Sequence, residues 1–368
     1  MSLAIVAVGT AVPPTRLIQS EAQAIARAIC CRTEEQASWL PDLYGGTGIE
    51  SRHLAFDRTL IQDILDGTRH SQSPFLPETN DSDFGPRVGE RMRHYREHAP
   101  ALAISAARQA LARADVEPGR ITHLITVTCT GFFAPGLDVA LIHELGLSPE
   151  VARTQIGFMG CHGALNGLRV AHAFAGSDPG SCILLCAAEL CGLHYHYRWD
   201  PQKMVANALF ADGAAAIVGM AFPVALTESW QVAASGSCVL PHAQDAMTWT
   251  IGDHNFEMTL SKEVPGLITR NLRPWLAAWL NGHELDVSQI ASWAVHPGGP
   301  RILAAVERAL QLDSQALVDS KAVLAEYGNM SSPTLLFILE RMQRRNAPRP
   351  CVALGFGPGL VIEAVLFR

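Results

Sequence analysis

Apolar positions along the chain fall into two kinds of run. Short unbroken stretches, Ile121 through Thr128, Cys182 through Ala187, Ala214 through Val218, Ile290 through Val295, Cys351 through Leu354 and Leu360 through Leu366, have the length of strands covered on both faces. Helical runs follow two of them. After Cys161 the positions Leu165, Leu168, Val170, Ala171, Ala173 and Phe174 are apolar almost all round the helix, which predicts a buried one. Leu335 to Met342 predicts another. A polar stretch rich in Pro, Ser and Asp, Thr68 to Pro86, reads as a surface loop before a helix starting near Gly89. The apolar run in Met1 to Pro13 has no preceding basic residue and no small-residue cleavage site after it, so the expectation there is a first strand.

These elements repeat in order. The interval from Cys129 to Cys161 matches that from His296 to Asn329 within one position, and the strands at Cys182 and Cys351 follow Cys161 and Asn329 at matching distances. Each half then closes on an apolar strand. We read an internal duplication of a strand–helix–strand unit, with a boundary near 225 and halves of 1–225 and 226–368 that share one site. The duplication puts Cys161 and Asn329 at equivalent helix starts and His296 at a strand end.

That placement suggests chemistry. A helix N-terminus carries partial positive charge and free N–H groups, which favour a thiolate, so Cys161, between Gly160 and Gly163, is a candidate nucleophile. A nucleophile needs a base and donors for the charge it generates. His296, in His296-Pro297-Gly298-Gly299-Pro300, and Asn329, in Gly328-Asn329-Met330-Ser331-Ser332, are the candidates. Taken singly, Cys161 and His296 also fit core packing, and Asn329 an N-cap.

Those motifs, with Gly355-Phe356-Gly357-Pro358-Gly359 and the Phe-Ala-Asp-Gly-Ala segment at 210–214, resemble the type III polyketide synthases, the chalcone synthase-like branch of the thiolase superfamily. The resemblance implies an α/β chain of thiolase-like fold, internally duplicated in five αβαβα layers. It further implies an acyltransferase that loads an acyl group from acyl-CoA onto Cys161, held as a thiolate–imidazolium pair with His296. Malonyl-CoA is then decarboxylated, its enolate held by Asn329 and His296, and the extended chain is cyclised to a pyrone or resorcinol-type product. Phe210 matches the first gatekeeping position and Met258 the second, where a flexible thioether replaces a ring. Cys129 and His194 fall in pocket-lining segments, and Gly355, Phe356, Gly357, Pro358 and Gly359 scaffold the cyclisation cavity. Arg52, Gly298, Gly299 and Arg301 are expected at the CoA-binding mouth, while Asp212 and Glu189 are expected to be structural. An initiating β-ketoacyl synthase, a hydroxymethylglutaryl-CoA synthase and a silent acyl-CoA-binding relative stand as alternatives.

Composition narrows the partners. In 368 residues with 48% hydrophobic and 17% charged positions there is little polar surface, which points to a covered face and a homodimer. A net charge of −7 without a basic run excludes a nucleic-acid surface, and no run approaches the roughly 20 apolar residues of a membrane span. Nine cysteines without Cys-x-x-Cys spacing imply reduced thiols in a cytoplasmic protein. His194 and His196, two apart on an extended segment, point to opposite faces, so neither a metal nor any other cofactor is expected beyond the CoA substrates.

Overall fold

A computed structural model of the chain describes residues 1–78, 83–222 and 230–368. Thirteen strands are present among them: β1 (Ser2–Ala11), β2 (Thr15–Ile18), β3 (Ser51–Leu54), β4 (His123–Thr128), β5 (Ala152–Gly157), β6 (Cys182–Leu190), β7 (Asp212–Phe222), β8 (Trp230–Val239), β9 (Met247–Ile251), β10 (Phe256–Leu260), β11 (Ser292–Val295), β12 (Cys351–Gly357) and β13 (Val361–Phe367). Nine of them form one sheet in the order β11-β12-β13-β8-β1-β7-β6-β4-β5.

The pairing repeats within this sheet. β4 and β6 are parallel, β6 and β7 antiparallel, and β7 and β1 antiparallel. β11 and β12, β12 and β13, and β13 and β8 follow the same sequence of orientations. The two halves join where Leu3, Ala4 and Ile5 of β1 pair with Val232, Gln231 and Trp230 of β8. The proposed boundary near 225 lies outside the described residues.

Strand side chains alternate between faces, and here both faces are buried. In β6, Ile183, Leu185 and Ala187 enter a central core with the helices Gly163–Ser177 and Ser332–Arg344, while Cys182, Leu184 and Cys186 enter an outer core beneath the helix Val88–Ala114. In β12, Cys351 and Ala353 face the same central helices, and Val352 and Leu354 face the outer helices Val264–Asn281 and Pro300–Leu310. Both faces of each half of the sheet are thus covered, with the central helices packed on the inner faces and the other helices on the outer faces, as the unbroken apolar strands require. The two apolar helices of the sequence are the central pair.

The stretch expected as a surface loop departs from that expectation. Phe75 and Leu76 are buried, because Asp63 gathers the backbone N–H groups of His70 and Ser71 and the Thr68 hydroxyl and folds the chain inward. Residues 79–82 of that stretch lie outside the described residues. Among the described residues no helix is long and apolar enough to cross a membrane.

Candidate active site

Cys161 lies in a single 3-10 turn, Gly160–His162, that leads into the central helix. Gly160 takes φ +73°, and a Cβ there would overlap the Pro358 ring, so only glycine lets the second half of the chain close over the Cys161 thiol. The thiol is 6% exposed. Burial pushes it up to about 11, although hydrogen bonds with Ser331 and Asn329 act in the opposite direction. The helix terminus does not prevail.

Asn329 is oriented by its neighbours. Its Oδ1 accepts the Ser331 N–H at 2.8 Å, which commits the acceptor end and turns the amide N–H groups toward Cys161. Its backbone N–H donates to the Leu209 carbonyl and its carbonyl accepts the Ala211 N–H, both at 2.9 Å, forming a bridge with Phe210. The Asn329 amide and the Phe210 ring therefore hang from the same pair of backbone hydrogen bonds.

His296 follows β11, its N–H donating to the Leu354 carbonyl at 2.8 Å. The ring is 1% exposed, and neither nitrogen has a hydrogen-bond partner among the described residues. Burial, then the neighbouring His162, holds its pKa down to about 3, so the imidazole is neutral. Burial thus opposes the thiolate–imidazolium pair predicted from the sequence, because each charge would lose its hydration.

Two cavities meet at the thiol. The larger encloses about 1260 Å³ of space, part of it open to solvent. Cys129, His194, Trp249, Phe256, Ser331 and Pro358 form its wall near Cys161, and Leu17, Ile25, Ile29, Leu60, Ile61, Ile64 and Phe75 form an apolar far wall. The smaller, of about 480 Å³, is bordered by Gln202, Gly298, Ile302, Asn329 and Phe356. Phe210 and Met258 border both, which is the position of a gate.

Other expected residues are divided. His194 is fully occupied: Nε2 lies 2.7 Å from the Thr130 carbonyl and Nδ1 accepts the Phe256 N–H at 3.0 Å, so it ties the wall together as a neutral ring. Cys129 Sγ accepts the Gly160 N–H at 3.0 Å. In the Gly355–Gly359 segment Phe356 and Pro358 line the two cavities; Gly355 and Gly357 lie against His162, and Gly359 donates its N–H to the Met247 carbonyl. Gly299 precedes the helix Pro300–Leu310 and Arg301 is exposed. Arg52 lines the larger cavity rather than an exposed mouth. It is 2% exposed, with its guanidinium bound to backbone carbonyls, because β3 runs beneath the helix Pro201–Leu209.

The two acidic residues are structural, as expected. Glu189 accepts from the Cys129 N–H and from the Thr130 and Ser332 hydroxyls, with burial raising it to about 7. Asp212 accepts the Ala55 and Gly192 N–H groups. Sequence reasoning missed Ser331 as a partner of the thiol, although it stands inside the Asn329 motif. It also missed Trp249 and Phe256, on two strands joined by Gly252-Asp253-His254-Asn255, a turn signal that would have revealed the hairpin.

Comparison with known families decides the identity. Residues 2–223 match the family model for chalcone and stilbene synthases, N-terminal domain, and residues 231–368 match the one for the C-terminal domain. The chain is a type III polyketide synthase. This synthase is 35% identical over 287 residues to the alpha-pyrone synthesis polyketide synthase-like Pks18 of Mycobacterium tuberculosis, covering 76% of this chain and 73% of the relative. To the 1,3,6,8-tetrahydroxynaphthalene synthase of Streptomyces peucetius it is 31% identical, covering 99% and 92%. Its fold superposes on that of PKS-I from the brown alga Ectocarpus siliculosus with a TM-score of 0.92 at 32% identity, covering 100% and 98%. The synthase accordingly has the thiolase fold and is an acyl-transferring enzyme of a family that takes CoA thioesters.

Proposed function

We propose that this synthase loads a long-chain acyl group onto Cys161, extends it with malonyl-CoA and releases a pyrone or resorcinol-type product. The observation that carries the reading is the apolar far wall of the larger cavity, which opens directly from the thiol. A hydrocarbon tail would be buried there, and the relative named for alpha-pyrone synthesis supports the product class.

The neutral imidazole of His296 acts as the base. As the Cys161 sulfur bonds to the acyl carbonyl carbon, His296 takes the thiol proton and returns it to the departing CoA thiolate. Malonyl-CoA then loses carbon dioxide, and the electron pair left behind spreads onto the thioester oxygen. The Asn329 amide N–H groups and a His296 N–H stabilise that oxygen in a water-poor site. The enolate carbon attacks the acyl-enzyme carbonyl and the Cys161 thiolate leaves. Chain growth and ring closure fill the same cavity, shaped by Phe210, Met258, Cys129 and His194. The scheme uses side chains and CoA thioesters alone, with Gly298 at the smaller cavity and exposed Arg301 beside it as the CoA contacts.

Two copies pair in this reading. The outer edge of β5 is unpaired among the described residues, and Phe132 (37% exposed) and Met159 (39% exposed) lie near its end. An unpaired edge beside exposed apolar side chains is suited to covering by a second copy.

Mass spectrometry of products from malonyl-CoA with short, long and aromatic acyl-CoA starters tests the function, with Cys161→Ala as the blank. Cyclised products from long starters are expected, and a linear product with one added unit would overturn the reading. Asn329→Ala should retain acyl loading and lose malonyl decarboxylation; intact condensation would remove the enolate role.

A further inference from the structure

Arg52 has a task other than the phosphate contact expected of it. The last carbonyls of a helix lack intrahelical partners and carry partial negative charge. At the end of Pro201–Leu209, Arg52 supplies the missing donors: Nη1 donates to the carbonyls of Asn207 at 3.2 Å and Phe210 at 2.8 Å, and Nη2 to that of Ala208 at 2.6 Å. Nη2 also donates to Gln19 Oε1 at 2.6 Å. The remaining carbonyl of this end, Leu209, accepts the Asn329 N–H. Arg52 and Asn329 therefore divide one helix end between them.

The residue before Asn329 also packs closely against Arg52. Gly328, at φ +73°, sits where a Cβ would come within 3.5 Å of the Arg52 Cβ and 3.3 Å of the Leu209 carbonyl. Arg52 makes no ion pair with a carboxylate among the described residues, and Asp212 acts on it by charge without a hydrogen bond. The helix end is what the cation faces.

We propose that Arg52 is a positioning residue for the decarboxylation step: by holding the carbonyls of residues 207, 208 and 210 it fixes the bridge on which Asn329 and Phe210 hang. The inference rests on the reading of Asn329 as the enolate donor. The Cys161 backbone is held by its own turn, Gly160–His162, and does not hang from that bridge, although its thiol meets the Asn329 amide. Loss of the cation should therefore separate two steps of one catalytic cycle.

The experiment compares Arg52→Met and Arg52→Lys with the wild-type enzyme. Intact-protein mass spectrometry follows the rate of Cys161 acylation by acyl-CoA, and product formation gives kcat and KM for malonyl-CoA and for malonyl-pantetheine. In Arg52→Met, acylation should stay within about threefold while condensation kcat falls about ten- to hundredfold, the size of effect that follows displacement of a catalytic group by about 1 Å. Arg52→Lys should lie between. In an Asn329→Ala background the Arg52→Met effect on the residual kcat should vanish, since a positioning residue has nothing left to position.

Equal losses in acylation and condensation would mark a merely structural role and overturn the inference. So would a rise in KM for malonyl-CoA but not malonyl-pantetheine at unchanged kcat, which would return Arg52 to a phosphate contact. If Arg52→Met does not fold, Arg52→Lys and Gln19→Ala carry the same comparison. Normal condensation by Asn329→Ala would defeat the enolate reading itself, whereas a defective Asn329→Ala beside an unaffected Arg52→Met defeats only this inference.

Discussion

Filling the far wall of the larger cavity should shorten the preferred starter. Ala22, on the helix Gln19–Cys30, is the smallest side chain of that wall, and it stands beside Ile25 and Ile29 one and two turns on. Ala22→Phe puts a ring into the space a tail would occupy. Each methylene buried is worth about 0.8 kcal/mol at the upper limit, or about fourfold in kcat/KM at 1.4 kcal/mol per tenfold. For ligands of drug size the yield falls to about 0.3 kcal/mol per atom, or about 1.6-fold. Excluding four methylenes therefore removes between about 1 and 3 kcal/mol, a loss of roughly 7- to 200-fold for long starters only. The assay is kcat/KM for acylation of Cys161 across acyl-CoA starters from butyryl to palmitoyl, with a thermal melt as control for overpacking. In the wild type the constant should climb with chain length; in Ala22→Phe it should climb and then stop. A flat wild-type profile, or equal losses for butyryl and palmitoyl, would refute the assignment of the cavity.

Two further predictions follow from burial and packing. With the Cys161 thiol pushed up to about 11, its thiolate fraction rises tenfold per pH unit below that value, so iodoacetamide alkylation in the absence of substrate should accelerate through pH 9 without a plateau. A plateau near neutral pH would establish the thiolate–imidazolium pair instead. At Gly357 a Cβ would overlap the His162 ring, so Gly357→Ala should destabilise by about 1–3 kcal/mol and lower Tm by several degrees. An unchanged Tm would mean that the strand can move away from the ring, and that His162 is less firmly seated than its contacts indicate.

The duplication and the candidate residues were legible for the same reason: both are local in sequence. Strands covered on both faces must be apolar throughout, as Cys182–Leu190 and Cys351–Gly357 are, and a motif such as Gly-Asn-Met-Ser-Ser carries its turn with it. Cavity walls are different. Ile25, Ile61 and Phe75 come from separate segments with no common pattern, and each looks like ordinary core until the chain closes around a space.

The sequence by itself determined the repeated α/β architecture and the two buried central helices, and it singled out Cys161, His296 and Asn329 as candidates, because periodicity and turn chemistry act over a few residues. Tertiary structure alone decided the charge states and the addresses. Desolvation depends on everything packed around a group, so a thiol placed to ionise easily is instead held neutral. Arg52, expected at the CoA-binding mouth, lies buried against a helix end formed 155 to 158 residues later, a partner that no local pattern in the sequence could identify.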